Sequence, residues 1–277
     1  MRYQLSILTL SILLSLSSCA SKKYKNISYL AENNSVKKNP TLNIFSPRNS
    51  KYQNNSVLVF VHGGNWNSGD KKLYGFFGRN FAKKGVTTVI VGYTLSPDAS
   101  FKEMAIEVAK AVEWTKENIS KYKGNPNEIF LTGHSAGGHL VALVSTNTKY
   151  LKDKSIIKGI ILNDAAGLDM KHYLEESPPS DQDNYLATWS NKPEEWEDAS
   201  PIYFLDKNTP PFMIYTGSKT YESIKISNER FLKELHKFQP NVVPTVLNKK
   251  HVPMITQYIF PWNKRFDEII NFMKNNK

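Results

Sequence analysis

The chain is 277 residues long and 40% hydrophobic, which suits one α/β domain able to bury a full core. Its formal net charge of +11 comes mostly from scattered lysines, with no arginine cluster and no aromatic-interleaved basic run, so nucleic acid is excluded as the expected partner. A single cysteine rules out any disulfide within the chain.

In chain order, residues 1–4 make a short, singly basic start, and residues 5–18 form an apolar and serine stretch. That length suits the core of an export signal and is too short to span a bilayer. The stretch ends in Leu16-Ser17-Ser18-Cys19, which resembles the lipobox of bacterial lipoproteins. The resemblance implies a signal peptide at 1–18, lipidation of Cys19, and an exported protein anchored by lipid in the bacterial cell envelope. Acyl chains on one cysteine anchor firmly, at about 0.8 kcal/mol per buried methylene. Residues 19–27 are polar and read as a tether, and 28–277 as the folded domain.

Leading strands are expected at 27–30 and 42–45. Further strands follow at 57–61, 87–93, 128–132, 157–162, 212–215 and 242–247. Helices at 74–84, 101–120, 136–147, 223–236 and 263–273 alternate with them. This alternation predicts an α/β fold with a mostly parallel sheet covered on both faces. Residues 167–210 interrupt the rhythm with Pro178-Pro179, Tyr185, Trp189 and Trp196. A connection that long is uncommon unless it functions, and it reads as a cap over a site or as an insertion packed on the sheet.

Two motifs carry chemistry. The strand at 57–61 runs into His62-Gly63-Gly64-Asn65-Trp66, and the strand at 128–132 into Gly133-His134-Ser135-Ala136-Gly137. Small residues on both sides of a strand-to-helix turn let a serine stand exposed at the helix start, the arrangement of a nucleophile elbow. A carbonyl attacked by that serine becomes an oxyanion and needs donors already in place. Amides of Gly63, Gly64 or Asn65, together with that of Ala136, are the expected donors, and losing one costs about 100- to 1000-fold in rate.

These segments, with Val91-Gly92-Tyr93-Thr94-Leu95-Ser96-Pro97 and Gly138-His139-Leu140, make the chain resemble the esterase and arylformamidase-like branch of the α/β-hydrolases from about residue 44 onward. The resemblance implies Ser135 as nucleophile and His251 as general base, on the loop after the last strand. The chemistry agrees: an imidazole takes the serine proton near neutral pH and returns it to the leaving group. His62, His134 and His139 belong to the motifs and shape loops. Trp66 and His134 stand where substrate could be touched, and Asn65 and Asn67 are further candidates.

The acid departs from the pattern. Relatives tend to read Gly-x-x-Asp after the seventh strand, and this chain reads Gly217-Ser218-Lys219-Thr220. Asp164, ending an apolar strand, and Glu222 are the candidate substitutes, with another residue or a Ser–His dyad as the remaining possibilities. A charge at the end of such a strand needs a partner, and an imidazole N–H would be one. Asp169 matches a position that is structural in relatives.

The expected activity is hydrolysis of carboxylic esters of small molecules or glycan side groups through an acyl-enzyme, with no metal or cofactor implied. An arylformamidase or other amidase is the alternative on resemblance. A lipoprotein that kept the fold for binding alone is the second alternative, motivated by the missing carboxylate after Gly217.

Overall fold

The computed structural model describes residues 21–30, 39–49 and 54–277. The expected signal peptide and Cys19 lie outside them. The strands are β1 (Ser21–Ser28), β2 (Thr41–Pro47), β3 (Asn55–Val61), β4 (Thr87–Val91), β5 (Gly124–His134), β6 (Ile157–Asn163), β7 (Phe212–Gly217) and β8 (Thr245–Leu247), the inner ones forming where short apolar, β-branched runs occur. They join in one sheet of order β1-β2-β4-β3-β5-β6-β7-β8. The pairs β1–β2 and β2–β4 are antiparallel, and the rest are parallel.

The helices are α1 (Gly75–Lys83), α2 (Phe101–Asn118), α3 (Ala136–Thr146), α4 (Met170–Glu176), α5 (Tyr185–Trp189), α6 (Pro193–Trp196), α7 (Glu222–Leu235), α8 (Pro253–Thr256) and α9 (Arg265–Asn275). Side chains alternate across each strand, so β3 feeds two cores at once. Val57, Val59 and Val61 pack with Met104, Leu140 and Phe231 from α2, α3 and α7. Leu58 and Phe60 pack with Phe77, Phe81, Phe266 and Ile269 from α1 and α9. From β3 the chain leaves toward β4 on one side and later returns to β5 on the other. A crevice opens at the carboxyl ends of strands where the order reverses in this way. Loops after β3 and β5 flank it.

Several boundaries differ from expectation, among them the leading strand expected at 27–30, and two of the differences have a cause in the sequence. The segment read as a tether, 19–27, is mostly strand: Ser21–Ser28 pairs with β2. An edge strand needs one row of backbone partners and only a thin apolar face, here Tyr24 and Ile27, so it lacks the apolar run that marks an inner strand. Its lysines leave the outer edge charged, which discourages pairing with another chain. The last strand is three residues, not six, because Pro244 has no N–H to donate and Val243 is 82% exposed. The insertion 167–210 folds as α4, α5 and α6 with intervening turns. Among the described residues no helix is long and apolar enough to cross a membrane.

Candidate active site

Ser135 follows β5 and caps the next helix with φ 55° and ψ −124°, a conformation costly for any residue with a side chain. Its neighbours make the turn possible. A Cβ on Gly133 would lie 2.3 Å from the Gly137 carbonyl carbon, and one on Gly137 would lie 2.1 Å from the Val61 carbonyl oxygen. Both positions therefore exclude every residue but glycine. The Ser135 amide donates to the Asn163 carbonyl at 3.3 Å, tying the elbow to β6. Ala136 opens α3, and the first amides of a helix have no carbonyl to meet within it.

The loop after β3 rests directly on this turn. A Cβ on Gly63 would meet the His134 carbonyl oxygen at 2.7 Å and the Ser135 Cβ at 3.0 Å, so glycine is what allows the approach. Gly64, Asn65 and Trp66 all have positive φ. Gly63, Gly64, Asn65, Trp66, His134, Ser135 and His251 line one cavity of about 610 Å³. The cap supplies Met170, Tyr173 and Tyr185 to its wall, and Tyr74 and Tyr221 add further rings.

His251 Nδ1 lies 2.6 Å from Asp164 Oδ2, across 87 residues of sequence. Asp164 is fully buried at the end of β6 with φ 52°. Its other oxygen accepts the Gly217 amide at 2.8 Å, and Thr220 Oγ1 donates to Oδ2 at 2.5 Å. A buried carboxylate held by several donors is paired as burial requires. The strand ends close together because Gly217 has no side chain: a Cβ there would meet the Lys249 carbonyl oxygen at 2.7 Å. Glu222, the other candidate acid, is not brought to the site. It starts α7 with its side chain 73% exposed and pairs with Lys225 at 3.0 Å. Its helix begins by turning the side chain toward solvent, while Thr220 takes the place beside the histidine.

His134 and Trp66 line the cavity yet are mostly buried, and each bonds inward. The His134 ring stacks on His251 with centroids 4.6 Å apart, and its Nε2 faces the His251 carbonyl oxygen at 3.1 Å. That oxygen can only accept, so Nε2 carries the proton. Burial, reinforced by the neighbouring His251, lowers the His134 pKa to about 4, so the ring is neutral at pH 7. The Trp66 indole donates to His139 Nδ1 at 3.1 Å, and His139 Nε2 donates to the Ala199 carbonyl at 2.7 Å. Burial lowers His139 to about 4 as well. Asp169 is buried, caps α4 by accepting the His172 amide at 3.2 Å, and pairs with Arg230 at 2.7 Å. Its ties are those of a structural carboxylate.

Among the insertion's aromatics, Tyr185 lines the cavity, whereas Trp189 and Trp196 are buried in packing. Thr220 and Tyr221 had no signal as site residues. Only the register of Gly217-Ser218-Lys219-Thr220 against Gly-x-x-Asp could have pointed to Thr220.

The sequence pattern of the BD-FAE family matches residues 42–234. The chain is 27% identical to Esterase LipC of Mycobacterium tuberculosis over 176 residues, 59% of this chain and 44% of that protein. It spans less than half the length of such curated relatives. Esterase B of Lactobacillus rhamnosis superposes over 99% of this chain and 94% of its own, with TM-score 0.74 and 17% identity. A truncated carbohydrate esterase from gut microbiota superposes over 92% of this chain and 96% of its own, with TM-score 0.73 and 19% identity. The fold is that of the α/β-hydrolases.

Proposed function

The chain belongs to the BD-FAE family, and from that premise we propose that it is a carboxylic ester hydrolase acting through an acyl-enzyme on Ser135. The observation that carries the reading is the 2.6 Å contact between His251 and Asp164, with Ser135 on the wall of the same cavity. His251 takes the hydroxyl proton as Ser135 attacks the carbonyl, then returns it to the leaving alcohol. Asp164 fixes the tautomer with its proton on Nδ1 and stabilises the imidazolium. Amides of the 63–65 loop and of Ala136 receive the developing oxyanion. Water, deprotonated by the same histidine, releases the acid.

The chain order serine, aspartate, histidine agrees with other hydrolases of this fold. The 2.6 Å contact of Asp164 with His251 speaks against the binding-only reading, because it offers a carboxylate from the neighbouring strand in place of the one absent after Gly217. As substrate we propose an ester of a small molecule or of a glycan side group. The names of its relatives, which are esterases, and of a structural neighbour, a carbohydrate esterase, support it. The cavity wall, with Trp66 and four tyrosines, suits a planar or sugar-like group. Export and a lipid anchor on Cys19 belong to the same proposal and rest on residues 1–19 alone.

The test is labelling by a fluorophosphonate probe, with Ser135→Ala as control, followed by a screen of ester and formamide substrates. Labelling and turnover of wild type, both lost in Ser135→Ala, are expected. A folded wild type that neither labels nor turns over any ester would overturn the reading.

A further inference from the structure

Gly64, Asn65 and Trp66 carry three successive positive φ angles of 132°, 51° and 58°. For the two non-glycine residues this conformation is strained and persists only when neighbours hold it. The hydrolase body supplies part of the hold. The Gly64 carbonyl accepts the amides of Asn67 and Ser68 at 3.2 and 2.9 Å, and the Trp66 carbonyl accepts that of Ser96 at 3.0 Å.

The cap supplies the rest. Tyr185 donates its hydroxyl to Asn65 Oδ1 at 2.9 Å. Burial raises the Tyr185 phenol above its ordinary value, which keeps the proton it donates. The residues just before it grip the same region: Asn67 Nδ2 donates to the Asp183 carbonyl at 2.7 Å, and Ser96 Oγ to the Asn184 carbonyl at 3.3 Å. The Tyr185 ring stands edge-on to Trp66 and Trp189, so its hydroxyl is aimed by packing.

We infer that Tyr185 is a positioning residue, whose hydroxyl sets the oxyanion loop through the side chain of Asn65. The cap then completes the oxyanion site in addition to walling the pocket. This rests on the serine-hydrolase reading above, and the rival role for Tyr185 is direct contact with substrate.

The test compares wild type, Tyr185→Phe, Asn65→Gly and the double variant. Each is measured for kcat and KM on a short-chain ester and for the second-order rate of fluorophosphonate labelling, whose phosphonyl oxygen occupies the oxyanion position. Tyr185→Phe keeps the ring and its packing. Its kcat and labelling rate should fall together by about tenfold, less than loss of a whole donor, with KM within about twofold. Asn65→Gly keeps the backbone freedom and removes the acceptor, so adding Tyr185→Phe to it should cost nothing more. A raised KM with kcat and labelling unchanged would make Tyr185 a substrate contact and overturn the inference, as would full additivity in the double variant. If Ser135→Ala labels as wild type does, the serine-hydrolase reading itself has failed, which is a separate result from an unaffected Tyr185→Phe.

Discussion

Thr220 donates its hydroxyl to Oδ2 of Asp164 across 2.5 Å, from the position where related chains are expected to carry the acid itself. The same hydroxyl lies 3.4 Å from His251 Nδ1. The carboxylate beside His251 thus comes from the end of β6, and a hydroxyl stands at the position after β7 where a carboxylate is expected.

That exchange predicts a pair of outcomes. Asp164→Asn should lower kcat by about 10³- to 10⁴-fold, because the wrong tautomer of the base is then held, while Glu222→Gln stays within about twofold. Steady-state kinetics on one ester measures both; equal losses in the two variants would remove Asp164 from the mechanism.

A carboxylate returned to position 220 should work again. Thr220→Asp placed on Asp164→Asn is expected to recover at least about tenfold of the lost kcat, since it restores a charged acceptor for the imidazolium. Thr220→Val alone should reduce kcat by several-fold, having removed one donor to a buried carboxylate. If the double variant is no faster than Asp164→Asn, position 220 does not face the imidazole in a useful geometry.

The glycines of the elbow are a matter of space. An alanine at 137 would put its Cβ 2.1 Å from a backbone oxygen of β3, with no flexible side chain to yield. Gly137→Ala is expected to destabilise the fold by about 4 kcal/mol, visible as a lowered urea midpoint with m unchanged. A midpoint equal to wild type would show that the elbow relaxes more easily than its packing implies.

The buried histidines predict a pH-dependent stability. His134 and His139 sit at about 4 in the folded chain, against an ordinary value of 6.5. Between those values the unfolded chain binds protons that the folded one does not. Stability should therefore fall as pH drops from about 6.5 to 4 and lose no more from these groups below that, with a slope up to about 1.4 kcal/mol per pH unit for each ring. Urea midpoints across this window measure it. His139→Gln should flatten the slope by one proton's worth, and an unchanged slope would contradict the depressed value.

The parts legible in the sequence were those with a local signature. Apolar runs gave the inner strands, and Gly133 to Gly137 gave the elbow, because its steric demand falls on neighbours in the chain. Asp164 and Glu222 were not separable at that level. Which carboxylate meets His251 depends on how closely β6, β7 and the loop after β8 approach, and Gly217 permits that approach without announcing it. The edge strand expected at 27–30 instead spans Ser21–Ser28, because its stability comes from β2's backbone and little from its own side chains. The Tyr185–Asn65 bond spans 120 residues, and no spacing rule reaches so far.

β1 also has a direction. Ser21 pairs with Pro47 and Ser28 with Thr41, so the strand starts where the parallel strands start and runs toward the ends that carry Ser135 and His251. About 25 Å of extended chain separates its first residue from that rim. Ser21 therefore lies at the pole opposite the mouth of the Ser135 cavity. If Cys19 carries the lipid proposed above, the anchor lies two residues from Ser21, at the base, and the opening faces away from it. Such a body would meet soluble or wall-borne esters head-on and would be poorly placed to work on the bilayer that holds it.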